Sequence, residues 1–381
     1  MTTLEHLSRL IAWPTVSRDP NMALIDDCAD RLREMGAHVT VLPNEAGTKA
    51  NLFATIGPLD RPGVMLSGHT DVVPVDGQDW TRDPFAMTVE DGRIYGRGAC
   101  DMKGFVACAM GAALNAATRD LVTPLHLALS YDEEIGCIGV RSLIDMLADA
   151  PFTPAMCIVG EPTSMQVATG HKGKRALRAT CVGREGHSAL APMAVNALHL
   201  GADLITALRE TQAHFEARGA RDGDYDIPFT TLHAGKFSGG VALNIVPNHA
   251  TLDFEIRNLA QDDPDAIVAD LTQAAARIAA ALDPVARIDI AEVFAYPGLD
   301  TAPDARVVRF VKGLTGANGT IKVAFGTEGG LFSDRLGIPT VICGPGSMAQ
   351  GHKPDEYVDL DQLSRCNAML DRLIAALETG L

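Results

Sequence analysis

The chain has 381 residues, 47% of them hydrophobic and 21% charged, and 32 lysines and arginines against 48 acidic residues leave a net charge of −16. Such a composition is ordinary for a globular protein, and the length exceeds what a single core usually supports, so two domains are expected. The acidic surplus, unrelieved by any basic run, argues against a nucleic-acid partner, and no apolar run is long enough to span a bilayer. The opening Met1-Thr2-Thr3-Leu4-Glu5 lacks the basic-then-apolar character of a signal peptide, and the eight cysteines are scattered with no CxxC pair. Free, mostly buried thiols and a cytoplasmic setting are the expectation.

Thr2 and Glu5 have capping-box spacing, and Leu4, Leu7, Leu10 and Ile11 make one helical face that Pro14 ends. A second amphipathic helix uses Ile25, Cys28, Leu32 and Met35 and stops at Gly36. Strands are predicted at 37–42, 51–56 and 64–66, a small-residue helix at 104–117, and continuous apolar strands at 125–129 and 155–159. Strands without polar alternation, interleaved with helices, indicate a buried sheet covered on both faces. Past Gly170-His171-Lys172-Gly173 the pattern changes. Residues 175–182 alternate like a half-exposed strand, and in 249–258 Leu252, Phe254 and Ile256 oppose Asp253, Glu255 and Arg257. With helices at about 192–217 and 263–281, this describes a small α+β domain. The buried-sheet pattern returns with a helix at 304–314, a strand at 340–343 and a helix from Leu360. The expected fold is α/β: a mostly parallel, helix-covered central sheet from residues 1–175 and 290–381, with an α+β domain inserted at 176–289.

His69 and Asp71 follow the apolar strand 64–66, and Asp101 follows a glycine-rich turn just before a helix. Glu133-Glu134 and Glu161 follow two further apolar strands, and His352 lies in Gln350-Gly351-His352-Lys353-Pro354. Singly, each reads as a polar strand end, a helix N-cap or a solvated acidic turn. Together they sit where sites form in an open α/β sheet, beyond the carboxyl ends of the strands. Imidazole and carboxylate suit a borderline divalent metal such as zinc. A second carboxylate beside a ligand histidine usually fixes its tautomer, which gives Asp71 a role.

These segments resemble those of the co-catalytic zinc hydrolases, the family that includes acetylornithine deacetylases, succinyl-diaminopimelate desuccinylases, aminoacylases and glutamate carboxypeptidases. Ser-Gly-His-Thr-Asp-Val-Val-Pro-Val, Gly-Arg-Gly-x-x-Asp-Met-Lys-Gly, Asp-Glu-Glu-x-Gly and Gly-Glu-Pro-Thr occur in the family's order between about residues 60 and 355. The resemblance implies a zinc-exopeptidase-like fold whose inserted domain serves as dimerisation and lid domain. It also implies two Zn2+ per subunit, replaceable by Co2+, with Asp101 bridging them. His69 and Glu161 would complete one site and Glu134 and His352 the other, and the Asp101–Met102 peptide would be cis. Glu133 matches the general base that takes a proton from water and passes it to the leaving amine. His187, in Gly186-His187-Ser188-Ala189, matches a second-domain histidine that stabilises the oxyanion in the partner subunit's active site, which implies a homodimer through the inserted domain. Asn244 and Arg257 match substrate-holding residues. Arg257 offers a fork suited to a carboxylate, an exposed strand salt bridge being its other reading.

Within the family, the segments around Glu134, Lys172, Asn244 and Phe325-Gly326-Thr327-Glu328-Gly329-Gly330 resemble the branch that acts on N2-acetyl-L-ornithine more than the desuccinylases. Glu328 would face the substrate's amine, or else be a carboxylate at a helix N-terminus. The implied reaction is hydrolysis of a small-molecule N-acyl amino acid, N2-acetyl-L-ornithine, to L-ornithine and acetate in arginine biosynthesis. One rival is the same machinery acting on another N-acyl amino acid or a dipeptide. The other is an inactive metal-binding homologue, which would be expected to have lost Glu133 or a ligand; all are present here.

Overall fold

The continuous apolar runs assemble into one nine-stranded sheet. In the computed structural model, which describes residues 2–381, its order is His38–Pro43, Ala50–Ile56, Leu125–Ser130, Val64–His69, Met156–Pro162, Thr340–Gly344, Ala168–His171 and Leu299–Asp300, with Ile321–Val323 beside Ala168–His171. Met1 lies outside the described residues. The four central strands, from Leu125–Ser130 to Thr340–Gly344, run parallel to one another. The pairs on either side of them are antiparallel. Every residue of Val64–His69, Leu125–Ser130 and Met156–Pro162 is buried, which is why these segments carry no polar alternation.

Helix Lys103–Ala116 is buried over nearly its whole length, and it packs against helices Thr3–Ala12 and Leu360–Thr379 as well as the sheet. Its small residues permit that close approach. So does Gly160 on the facing strand, where an added Cβ would lie 1.9 Å from the Phe105 ring. The capping box of the first helix forms as expected, with Thr2 accepting from the Glu5 backbone and the Glu5 carboxylate accepting from the Thr2 backbone. Helices Val140–Ala148 and Gly329–Leu336 were not expected; they pack on each other and on the sheet. Both are short, and only the first shows a helical repeat, through Val140, Leu143, Ile144 and Leu147.

Two compact units result. One comprises the described residues up to Gly170 together with Leu299–Val323 and Thr327–Leu381, and the other comprises His171–Gly298 and Ala324–Gly326. The second unit begins earlier and ends later than the 176–289 read from sequence. The reason is that strands Gly173–Val182 and Arg287–Tyr296 pair along their length, from Arg287 opposite Val182 to Tyr296 opposite Lys174. The latter strand has one buried residue, Ile288, and too little alternation to be legible in advance.

In the second unit four antiparallel strands are ordered Thr231–Gly239, His249–Asn258, Gly173–Val182 and Arg287–Tyr296. Ala250, Leu252, Phe254 and Ile256 form a core with Leu200, Leu204 and Leu208 of helix Ala197–Arg218 and Ile267, Leu271 and Ala275 of helix Pro264–Leu282. The first of these helices starts later than predicted because Ser188–Met193, with Pro192 inside it, forms a 3-10 turn, and Asn196 then caps Leu198. Among the described residues the eight cysteines are free and buried, and no helix is long and apolar enough to cross a membrane.

Candidate metal centre

The carboxyl ends of the four parallel strands deliver a cluster of carboxylates and imidazoles within the first unit. His69 ends strand Val64–His69 and is 1% exposed. Its Nδ1 donates to the Asp71 carbonyl at 2.9 Å, so in the neutral ring Nε2 carries the lone pair that a metal would take. Nε2 lies 3.1 Å from Asp101 Oδ1 and 3.5 Å from Glu161 Oε1. The other Asp101 oxygen, Oδ2, lies 3.0 Å from His352 Nε2, and that nitrogen is 3.1 Å from Glu134 Oε2. Asp101 therefore turns one oxygen to each imidazole, with Glu161 beside the first and Glu134 beside the second. The Asp101–Met102 peptide is cis, as the family resemblance implied.

Glu133 is buried, and one of its oxygens falls within 4.8 Å of donor atoms of His69 and Glu161. Cys137 Sγ donates to Glu133 Oε1 at 3.2 Å. Asp71 acts twice. Its carboxylate stands 3.6 Å from His69 Nδ1 and raises the pKa of that imidazole, while its backbone carbonyl accepts the Nδ1 hydrogen. The carboxylate accepts the backbone N–H groups of Glu133 at 3.1 Å and Glu134 at 3.3 Å, and the Ser17 hydroxyl at 2.7 Å. It thereby fixes the turn that presents both glutamates.

Electrostatics show what the cluster needs. Burial and the nearby Asp101 push Glu134 up to about 7, and they hold Glu161 well above the usual carboxylate range. Burial, opposed by His69 and reinforced by Glu134, Glu328 and Asp71, does the same to Glu133. Burial lowers the His69 pKa, but Asp101, Asp71 and Glu161 more than reverse it, and hydrogen bonds to Asp101 and Glu134 push His352 up to about 10. Asp101 moves down, because the two imidazoles outweigh its burial. Four carboxylates thus share two imidazoles, and three of them, Glu133, Glu134 and Glu161, are shifted toward the protonated form for want of positive charge. Oxygen and nitrogen donors in this number and spacing fit divalent ions of borderline character, whose arrival would displace those protons.

Glu328 is 1% exposed, with Ser67 donating to Oε2 at 3.1 Å and Ser130 donating to Oε1. Each oxygen therefore takes one serine hydroxyl, which anchors the carboxylate in place. It stands at the N-cap position of helix Gly329–Leu336 without making a side-chain cap bond.

Sequence reading also missed a buried pair, Arg97 and Glu356, which links the backbone at Asp101 to the loop of His352. Arg97 stands inside the quoted Gly-Arg-Gly motif and Glu356 four residues beyond His352, so proximity to ligands was the available signal.

The remaining expected residues lie in the second unit. Gly186–His187 pairs with Ile245–Val246, and the Asn244 carbonyl accepts the Ser188 N–H at 3.1 Å, so His187 and Asn244 are neighbours on an exposed edge. His187 Nδ1 accepts from the Ala189 N–H at 3.1 Å, which in the neutral ring leaves the hydrogen on Nε2. Arg257 is less open than expected. Its Nε donates to Glu255 at 3.0 Å, two residues away on the same strand face, and Nη1 donates to the Tyr296 hydroxyl at 2.9 Å. Only Nη2 stands outside these contacts.

The model of the family described as Peptidase family M20/M25/M40 matches residues 65–376. The chain is 36% identical over 375 residues to an acetylornithine deacetylase of Myxococcus xanthus, covering 97% of this chain and 96% of the relative. Among solved structures it resembles an M20 family metallo-carboxypeptidase of Sulfolobus solfataricus, with a TM-score of 0.81 and 20% identity over 99% of both chains. It also resembles a dinuclear metal-binding M20 peptidase of Bacillus subtilis, with a TM-score of 0.71 and 15% identity over 99% of this chain and 98% of that one.

Proposed function

The chain belongs to peptidase family M20/M25/M40, and from that premise we propose that it is a metal-dependent amidohydrolase that converts N2-acetyl-L-ornithine and water into L-ornithine and acetate. The observation that carries the chemistry is the Asp101 carboxylate facing His69 and His352 with one oxygen each. In this reading His69, Asp101 and Glu161 hold one divalent ion and Asp101, Glu134 and His352 the other, with zinc as the resident metal and cobalt as a substitute. Bound there, such a pair supplies electrophilic polarisation of the scissile carbonyl and acidification of water. Glu133 takes the proton and returns it to the departing amine, and Asp71 keeps it in place by holding its backbone N–H.

His187 and Asn244 serve substrate and oxyanion, and the Arg257 Nη2 serves the substrate carboxylate. The Nε2–H of the neutral His187 ring is the kind of donor that an oxyanion requires. A homodimer through the second unit accompanies this role. Around His187 the side chains of Leu190, Met193, Val241 and Leu243 are exposed, Leu243 completely, an apolar patch of the sort that a second chain covers. The net charge of −16 suits a cationic amine on the substrate better than an acidic acyl group.

A substrate panel with zinc or cobalt tests the assignment. kcat/KM for N2-acetylornithine is expected to exceed that for N-acetyl-norvaline, which lacks the amine, by roughly 10²–10⁴. Equal rates, or a preference for succinylated or dipeptide substrates, would replace acetylornithine with that substrate class.

A further inference from the structure

Two of the ligands in this reading, His69 and Glu161, stand on fully buried central strands. The other two that face each other, Asp101 and His352, come from loops, and His352 has 46% of its side-chain surface exposed and a backbone φ of 61°. Something other than the sheet has to hold these loops at a common distance.

Arg97 and Glu356 are each 1% exposed, and Arg97 Nη1 donates to Glu356 Oε2 at 2.6 Å. The other oxygen, Oε1, accepts the backbone N–H of Cys100 at 2.9 Å and of Asp101 at 3.0 Å. Arg97 Nη1 reaches the Lys353 carbonyl at 3.4 Å, and Nη2 donates to the side-chain oxygen of Gln78. Gln78 in turn donates from Nε2 to the His352 carbonyl at 3.1 Å. The Trp80 indole lies 4.9 Å from the guanidinium and shuts one side of the pair. A buried ion pair is by itself weak evidence for stability, because its desolvation offsets its attraction. The informative feature is where its spare hydrogen bonds end: on the backbone at Asp101 and on the backbone of His352 and Lys353.

Resting on the two-ion reading above, we propose that Arg97, Glu356 and Gln78 are positioning residues that clamp the Asp101 loop to the His352 loop. They set the affinity of the ion held by Asp101, Glu134 and His352 in preference to the one held by His69, Asp101 and Glu161, because only the former also draws on the clamped His352 loop. The clamp touches neither substrate nor metal and acts through the backbone of two ligands.

The test is titration of metal-free protein with Co2+, followed by visible absorption and calorimetry. Wild type is expected to bind two Co2+ per chain. Glu356→Gln keeps the first binding event and weakens the second by roughly 10–100-fold, with a changed absorption band for the second equivalent, as loss of an outer partner of metal ligands generally does. Gln78→Ala, which cuts the link to His352 together with the bonds from Arg97 and Trp80 but leaves Glu356 on the Asp101 backbone, shows the same selectivity to a smaller degree. The double variant Arg97→Met/Glu356→Leu removes the clamp without stranding a charge, so it unfolds near the wild-type midpoint yet shows the selective loss. A wild type that binds fewer than two ions would refute the two-ion reading. Two ions in wild type with unchanged affinities and spectra in every variant would refute the clamp, and so would equal weakening of both ions.

Discussion

At the scale of single residues, the carboxylates in the cluster differ by what their oxygens touch. Asp71 has its oxygens on the Ser17 hydroxyl and two backbone N–H groups, and Glu328 has both of its own on serine hydroxyls. These two are acceptors anchored through both oxygens. Among the described residues the Glu133 carboxylate accepts a hydrogen bond from the weak donor Cys137 and faces the donor atoms of His69 and Glu161. A carboxylate so lightly engaged is free to exchange a proton. Glu133→Gln, similar in size and unable to accept or deliver that proton, is expected to bind the same two ions per chain and lose roughly 10²–10⁴-fold in kcat. Metal analysis beside steady-state kinetics checks this, and a fully metallated variant with wild-type turnover would remove Glu133 from the reaction.

At the scale of elements, the site depends on how closely helix Lys103–Ala116 lies against the sheet. Gly160 precedes Glu161 and faces Phe105, and a Cβ there would come within 1.9 Å of the ring. Phe105 is 1% exposed and cannot swing away, so the strand or the helix has to shift. Gly160→Ala is expected to lower stability by about 1–3 kcal/mol through overpacking. It should also reduce metal affinity, because the shift falls next to Glu161. Adding Phe105→Leu should recover part of the loss in a denaturant titration. If Gly160→Ala alone melts like wild type, the contact is softer than its geometry implies.

At the scale of the whole molecule, the first unit carries the carboxylate and imidazole cluster, while the second carries His187, Asn244 and Arg257. If a homodimer forms through the second unit and His187 serves the neighbouring chain, two inactive variants can complement each other. Mixing His187→Ala with Glu133→Gln under conditions of subunit exchange is then expected to restore part of the activity, since a hybrid dimer contains one site with neither substitution. A mixture with proven exchange and no recovery would place the work of His187 within its own chain or outside catalysis.

Local pattern determined much of this protein. Continuous apolar runs such as Val64–Leu66 and Leu125–Leu129 specified buried parallel strands, and the alternation in 249–258 specified a half-exposed one, because burial of a strand face is written residue by residue. The ligand types were legible for a related reason: His69 and Glu161 lie at the ends of apolar strands, Glu134 follows one and Asp101 precedes a helix, all announced by their own sequence. Tertiary structure alone decided which oxygen meets which hydrogen. Arg97 and Glu356 are 259 residues apart, Ser67 and Glu328 are 261, and no local periodicity records that they meet. The same holds for Asp71, whose neighbour in sequence is His69 but whose carboxylate serves a turn 62 residues away. An expectation built on adjacency saw only its pairing with the imidazole. Convergence of the strand ends gave its carboxylate to the backbone of Glu133 and Glu134, because there the unpaired N–H groups of a tight turn needed an acceptor.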